Sequence, residues 1–131
     1  LAIHQFFRKV EAGVPIQQFG DGSTRRDYTY ISDIIAGVRA AMERTKGGAY
    51  ETYNLGNSGT VTLSELIAAV ELELGIKAIV EVRPEQPGDV PQTFADVSRA
   101  GRDLGFAPST PLAEGLKHFH SWYRTARVAQ D

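Results

Sequence analysis

The residues Phe19-Gly-Asp-Gly-Ser-Thr-Arg-Arg-Asp-Tyr-Thr-Tyr-Ile-Ser-Asp33 combine a glycine turn, two arginines, an aromatic segment and a helix start in unbroken order. Gly20 and Gly22 allow positive φ angles and a close approach of the backbone to a ligand. Arg25 and Arg26 follow, and each guanidinium is a planar fork of donors that suits paired phosphate oxygens. This order predicts a loop that faces a phosphate. An ordinary hairpin turn with two solvated arginines is the alternative, and the spacing alone leaves both open.

Two nucleotide-binding motifs are excluded in this segment. Arg25 stands where the dinucleotide fingerprint needs its third glycine, and we predict an extended segment over Thr29–Ile31 where that fingerprint requires a helix. No glycine loop is followed by Lys-Ser or Lys-Thr, so the P-loop pattern is missing as well. Ser32 or Asp33 is expected to cap the helix that follows.

Three ordered blocks of the chain resemble the extended short-chain dehydrogenase/reductases, the family of NAD-dependent nucleotide-sugar epimerases and dehydratases. The segment above is similar to the family signature Gly-Asp-Gly-x-x-x-Arg-Asp-aromatic-x-x-x-x-Asp. The second block is Tyr53-Asn-Leu-Gly-Asn-Ser-Gly-Thr-Val-Thr-Leu-Ser-Glu65, and the third is Gln86-Pro-Gly-Asp-Val-Pro-Gln-Thr-Phe-Ala-Asp96. The motif Gln86-Pro-Gly-Asp-Val-Pro91 most resembles that of the UDP-glucuronate 4-epimerases.

The resemblance implies an α/β fold, namely the C-terminal, substrate-binding subdomain of the epimerase fold, with a small mixed sheet, packed helices and no Rossmann core. Residues 1–131 would form this single nucleotide-sugar-binding subdomain of a larger protein, and the uncapped helical pattern at Leu1–Val10 agrees with that expectation. Tyr50–Leu55 is expected to be a strand at an edge of the main nucleotide-binding sheet. Its neighbours would lie in the missing N-terminal Rossmann domain, so we expect a homodimer or self-association.

The resemblance also implies a UDP-sugar substrate and NAD as the cofactor of the full-length parent, with no NAD held by this chain. The family's NAD loop is not found here, and none of the five tyrosines is followed by lysine four residues later, as its Tyr-x-x-x-Lys acid/base pair would require. No catalytic residue is therefore assigned. In the parent, the cofactor would supply the redox chemistry at C4 of the sugar while the protein orients the substrate.

Substrate-binding residues are carried over position by position. Arg26 is the first candidate for the UDP diphosphate, and Asp27 is expected to orient Arg26 or its loop. The strand Ile16–Phe19 stands where relatives line the uracil pocket, with a core role as the alternative. Gln86 replaces an arginine that many relatives carry before Gly-Asp, and Arg83 is a possible substitute cation. The candidate set is Arg26, Arg25, Gln18, Phe19, Gln86, Asp89 and Thr93.

Apolar residues at helical spacing predict the remaining elements. A helix over residues 33–46 would bury Ile34, Ile35, Val38, Ala41 and Met42. A second helix, starting at Thr62 or Ser64 and ended by Gly75, would bury the stripe Leu63, Leu66, Ile67, Val70 and Leu74. A strand at 79–82 and a helix at 97–104 precede a final helix at 112–127, which would bury Leu112, Leu116, Phe119, Trp122 and Tyr123.

Composition and charge narrow the function classes. With 42% hydrophobic and 23% charged residues the chain lies near the globular average, which predicts one domain with a real core. A net charge of −2 argues against bulk nucleic acid as a partner, and no segment is long and apolar enough to predict a membrane span. The absence of cysteine excludes a cysteine zinc site, and His118 and His120 are spaced wrongly for a helical metal pair. A cytoplasmic location is expected.

Overall fold

The computed structural model describes residues 2–45, 48 and 50–128 of the chain. Five helices and five strands occur in the described part. In chain order they are α1 Ala2–Glu11, β1 Ile16–Phe19, β2 Arg25–Arg26, α2 Ile31–Arg44, β3 Val61–Thr62, α3 Leu63–Leu74, β4 Val80–Arg83, β5 Gln92–Thr93, α4 Ser98–Leu104 and α5 Leu112–Val128.

The strands form two small sheets. In the first, β1 and β4 run parallel, with Ile16 opposite Val80. In the second, the order is β3-β2-β5: β2 pairs antiparallel with β3 and parallel with β5. The mixed α/β class predicted from the sequence is confirmed, and the second sheet brings three distant segments together at the two arginines.

The core lies between α1, α3, α5 and strand β1. Phe7, Ile16, Leu66, Val70 and Leu116 are almost fully buried there. Their burial orients α3, which starts where it was predicted to start. The Thr62 hydroxyl accepts from the Glu65 N–H, and the Glu65 carboxylate accepts from the Thr62 N–H, which together make a capping box. Gly75 closes this helix in the left-handed region, at φ 66°.

The start of α2 differs from the prediction. Tyr30 is extended and is the N-cap residue, with no capping hydrogen bond from its side chain, and the helix already includes Ile31. The predicted extended segment over Thr29–Ile31 therefore ends at Tyr30 and belongs to none of the described strands, and the predicted cap at Ser32 or Asp33 is wrong. The reason is that Asp33 has other partners: its carboxylate accepts from the backbone N–H groups of Ser109 and Thr110, just before α5.

An apolar face of α2 is exposed, whereas Ile34 and Ala41 of the predicted apolar set are partly buried. Ile31 is 62% exposed and Met42 is 64% exposed, with Ile35 and Val38 between them on the same face. Gly37 is the buried residue of this helix, because a side chain there would collide with Leu55 and Phe106. The helix thus turns its glycine inward and leaves an apolar stripe on the surface. Trp122 of α5 was also predicted to be buried and is exposed instead.

Residues 50–55 do not form the predicted strand. A strand needs a hydrogen-bonded neighbour, and no described strand pairs with this segment. It is held by side chains of α4 instead. Arg99 pairs with Glu51 and lies 5.1 Å from the centre of the Tyr53 ring, while the Tyr53 hydroxyl contacts Asp103 at 3.3 Å.

Self-association of the chain is still expected, but through α2 rather than through a strand edge. The exposed residues 31, 35, 38 and 42 follow the spacing of a helix-packing seam, so a second molecule can cover them. Light scattering over a concentration series should show an average mass that rises for the wild type and stays monomeric for Ile35→Glu combined with Val38→Glu. Leu72→Glu, at an 84% exposed position on α3, is the matched control and should behave as the wild type. A wild-type chain that stays monomeric at high concentration would contradict this expectation.

None of the helices described is long and apolar enough to cross a bilayer.

Candidate functional site

The glycine loop before β2 packs against the start of α3. The carbonyl oxygen of Gly22 accepts from the Ser64 N–H at 3.1 Å and from the Ser64 hydroxyl at 3.2 Å, and the carbonyl of Thr24 accepts from the Leu63 N–H at 2.9 Å. These backbone donors belong to the first turn of α3, which cannot satisfy them internally. Gly22 has a φ of 85°, and an added Cβ would lie 2.2 Å from the Ser64 hydroxyl oxygen. The loop therefore needs glycine there to reach the helix.

Arg25 is engaged by the loop that precedes β3. Its Nε donates to the Thr60 hydroxyl and its Nη2 donates to the Thr60 carbonyl, both at 2.8 Å. On the backbone, Arg25 lies opposite Thr62 of β3. The guanidinium uses two of its five N–H donors on one residue 35 positions away, which fixes that loop, and its other three donors have no hydrogen-bond partner among the described residues.

Arg26 is held on one side and open on the other. Its Nη1 donates to the carbonyls of Arg25 at 2.8 Å and Val90 at 2.9 Å, and its Nη2 contacts the Asp89 carboxylate at 2.6 Å. Three of its five N–H donors are therefore used. Within the described part of the chain, the Nε–H and the second Nη2–H have no partner, and the side chain is 29% exposed. Two donors on neighbouring nitrogens remain for an anion.

The Gln-Pro-Gly-Asp sequence forms a tight turn beside Arg26. The Asp89 N–H donates to the Gln86 carbonyl at 3.1 Å, and Gly88 has a φ of 86°. Proline at the second position and a positive φ at the third define a type II β-turn, which places Gln86 and Asp89 at its two ends. Strand β5 follows and puts Thr93 opposite Arg26. The structure thus brings four of the predicted residues together: Arg26, Gln86, Asp89 and Thr93.

The other predicted residues lie elsewhere. Gln18 and Phe19 are on β1, in the other sheet, where they pair with Val82 and Arg83. The Gln18 amide donates to the carbonyl of Gly20 at 3.3 Å, which supports the glycine loop. Arg83 pairs with Glu81 at 2.8 Å instead of approaching the turn. Among the described residues, no hydrogen bond or ion pair joins Gln18 or Phe19 to Arg26.

Asp27 has a structural role that the sequence indicated only in outline. Its carboxylate accepts from the N–H groups of Asn57 at 3.0 Å and Ser58 at 3.2 Å, and from the Thr29 hydroxyl at 3.0 Å. Asp27 was expected to orient Arg26 or its own loop, but its contacts with Asn57 and Ser58 hold a distant turn instead. That turn is formed by Asn57 and Ser58. The turn-forming composition of Gly56-Asn-Ser-Gly59 was the sequence signal for it.

Burial and the charge of Arg26 have opposite effects on the pKa of Tyr28. Partial burial raises the pKa of the Tyr28 hydroxyl above its ordinary value, and the positive charge of Arg26 opposes that rise. The Tyr28 hydroxyl is consequently neutral near pH 7, and it adds no negative charge beside the open donors of Arg26.

The described residues offer neither a metal centre nor an NAD site. No group of three or more potential metal-ligating side chains occurs among them. The Gly20–Gly22 loop is packed on α3 and leads into a strand, whereas a dinucleotide loop opens a helix whose N-terminus faces the pyrophosphate.

The fold defines the class of protein: the C-terminal portion of an extended short-chain dehydrogenase/reductase. The model of the GDP-mannose 4,6 dehydratase family matches residues 2–119, and the chain belongs to this family.

Relatives and solved structures agree with this membership. The UDP-glucuronate 4-epimerase of Thermodesulfobacterium geofontis is 35% identical over 93% of this chain, which spans 37% of that protein. The UDP-glucuronate 4-epimerase 4 of Arabidopsis thaliana is 39% identical over 78% of the chain and 26% of its own length. The crystal structure of the Bacillus cereus UDP-glucuronic acid 4-epimerase with UDP-glucuronic acid and NAD superimposes with a TM-score of 0.82, at 33% identity, over 89% of this chain and 37% of that one.

Proposed function

We propose that this chain binds the UDP part of a nucleotide sugar as one subdomain, residues 1–131, of an NAD-dependent UDP-sugar 4-epimerase. The substrate would be UDP-glucuronate, or UDP-glucose and UDP-galactose. The relatives named above support the proposal, since they are 4-epimerases and the Bacillus cereus structure contains UDP-glucuronic acid and NAD. The chain spans only 26% to 37% of the length of these proteins, so the chemistry would belong to a longer polypeptide.

The observation that carries the proposal is the state of the two arginines. Thr60 fixes Arg25 against the loop before β3, whereas Arg26 lies at the exposed Gln86–Asp89 turn and keeps two donors open there. A diphosphate oxygen can take both donors as charge-assisted hydrogen bonds. Gln86 can add an amide donor from the turn, although it lacks the charge of an arginine. Titration of the chain with UDP, comparing Arg26→Ala with Arg25→Ala, tests this assignment.

The name of the matching family model favours a second candidate, a dehydratase or decarboxylase on the same scaffold. Such an enzyme would also bind a nucleotide sugar, a GDP-sugar in the name of the family model, and would differ in its action on the sugar. Product analysis of the longer protein separates the two, because an epimerase returns an isomer of equal mass while a dehydratase product is lighter by one water. A non-catalytic binding module would bind UDP and form no product.

The isolated chain is expected to show no epimerase activity. The sequence has no Tyr-x-x-x-Lys pair, and the described glycine loop does not suit NAD. The pure chain should therefore give no UDP-galacturonate from UDP-glucuronate with NAD added. A known 4-epimerase, diluted in the same assay, defines the lowest turnover that can be detected. Measurable turnover by the pure chain would contradict this expectation and would require another acid/base group.

A further inference from the structure

We propose that Asp89 is a positioning residue of the nucleotide site, which acts by holding the Arg26 guanidinium and the Gln86–Asp89 turn in the arrangement that receives a diphosphate. This inference rests on the proposed function, because it assigns a role within the same site. It concerns a residue that acts through Arg26 rather than on the ligand itself.

The geometry makes Arg26 the link between two segments 63 residues apart. Its Nη1 bridges the carbonyls of Arg25 and Val90, and its Nη2 contacts Asp89 at 2.6 Å. The Arg25 N–H also donates to the Pro91 carbonyl at 2.8 Å, so the two residues after Asp89 are attached to β2 as well as Asp89 itself. Residues 81–94 are exposed along their whole length, so no buried apolar side chain holds the turn. Its position thus depends on these polar contacts.

Two effects of Asp89 on UDP binding have opposite signs. A carboxylate near a bound diphosphate repels it, so loss of Asp89 should strengthen binding if charge alone matters. A long arginine side chain without its ion-pair partner regains rotamer freedom, so loss of Asp89 should weaken binding if positioning matters. Repulsion at an exposed site is screened by water and salt, whereas the direct contact is short. Positioning should therefore dominate.

Calorimetric titration with UDP and with uridine separates these effects. Asp89→Ala should weaken UDP binding roughly fivefold, the upper range for an exposed ion pair. Asp89→Asn keeps an acceptor oxygen without the charge and should stay within about twofold of the wild type. Uridine has no diphosphate, so its affinity should not change in either variant. Glu85→Ala removes the same charge from the same exposed loop and is the matched control, with UDP affinity unchanged or slightly higher.

A double-mutant cycle and a ligand-free measurement complete the test. In an Arg26→Ala background, Asp89→Ala should cost no further UDP affinity, because the two residues act as one unit. Without nucleotide, hydrogen exchange of the backbone amides of residues 25 and 89 should become roughly fivefold faster in Arg26→Ala and in Asp89→Ala than in the wild type. UDP binding by Asp89→Ala as tight as wild type, an additive loss in the double variant or unchanged exchange would each overturn the role of Asp89.

Failure of the proposed function would look different. If the wild-type chain does not bind UDP, the proposed function is wrong for this chain, and hydrogen exchange alone decides whether Asp89 holds the turn. If the wild type binds UDP, Arg26→Ala loses affinity and Asp89→Ala does not, only the positioning role fails.

Discussion

Replacement of Arg26 by alanine is expected to weaken UDP binding by roughly ten- to a hundredfold, because charge-assisted hydrogen bonds contribute about 1.5 to 3 kcal/mol. The variant removes the only pair of open guanidinium donors at the Gln86–Asp89 turn in the described part of the chain. Titration calorimetry with UDP measures the effect. Arg26→Lys keeps the charge but loses the fork, and its affinity should lie between those of wild type and Arg26→Ala.

Arg25→Ala is the matched control for this prediction. Arg25 carries the same charge one position away, but its Nε and Nη2 donate to Thr60. Its removal should reduce UDP affinity less than Arg26→Ala and should lower the free energy of unfolding by about 1 kcal/mol, since it fixes the loop before β3. Equal UDP affinities for wild type and Arg26→Ala would remove Arg26 from the site, and a larger loss with Arg25→Ala would reverse the assignment.

Gly22→Ala is expected to destabilise the fold by roughly 2 to 3 kcal/mol, from left-handed strain together with overpacking. Gly22 has a φ of 85° and is buried, and an added Cβ would lie 2.2 Å from the Ser64 hydroxyl oxygen and 3.1 Å from the Gln18 amide. Relief of the collision would break the contact that satisfies the first turn of α3. Urea denaturation followed by circular dichroism measures the change in the free energy of unfolding.

Gly13→Ala separates the two causes. Gly13 also has a positive φ, of 63°, but a Cβ there would meet nothing within 4 Å. It should cost about 1 kcal/mol, from backbone strain alone. Equal losses in the two variants would show that contact with Ser64 does not matter, and that the glycine loop is not anchored on α3 in solution.

The sequence alone determined the elements whose signals are local. Strand β1 at Ile16–Phe19 was predicted, and so was a start of α3 at Thr62 or Ser64, because a strand after Pro15 and a helix cap depend on a few neighbouring residues. The family was also readable from the sequence, since three ordered motifs with fixed spacing specify it far better than any one of them does.

Burial of the α2 face could not be predicted from its apolar spacing. The spacing identifies an apolar face but not the surface that covers it, and within this chain Gly37 faces inward while Ile31 and Met42 face solvent. The same limit applies to residues 50–55, whose β-forming composition requires a neighbouring strand that the described chain does not provide.

Tertiary structure decided which of two adjacent, chemically identical arginines lies at the exposed Gln86–Asp89 turn. Arg25 meets Thr60, and Arg26 meets Asp89, across 35 and 63 residues respectively. Sequence spacing carries no information on such distant partners, because each contact depends on how β2 pairs with β3 on one side and with β5 on the other. The sequence thus contains the residue types that an anion site needs. The number of donors left for the anion is fixed only when strands β2, β3 and β5 pair.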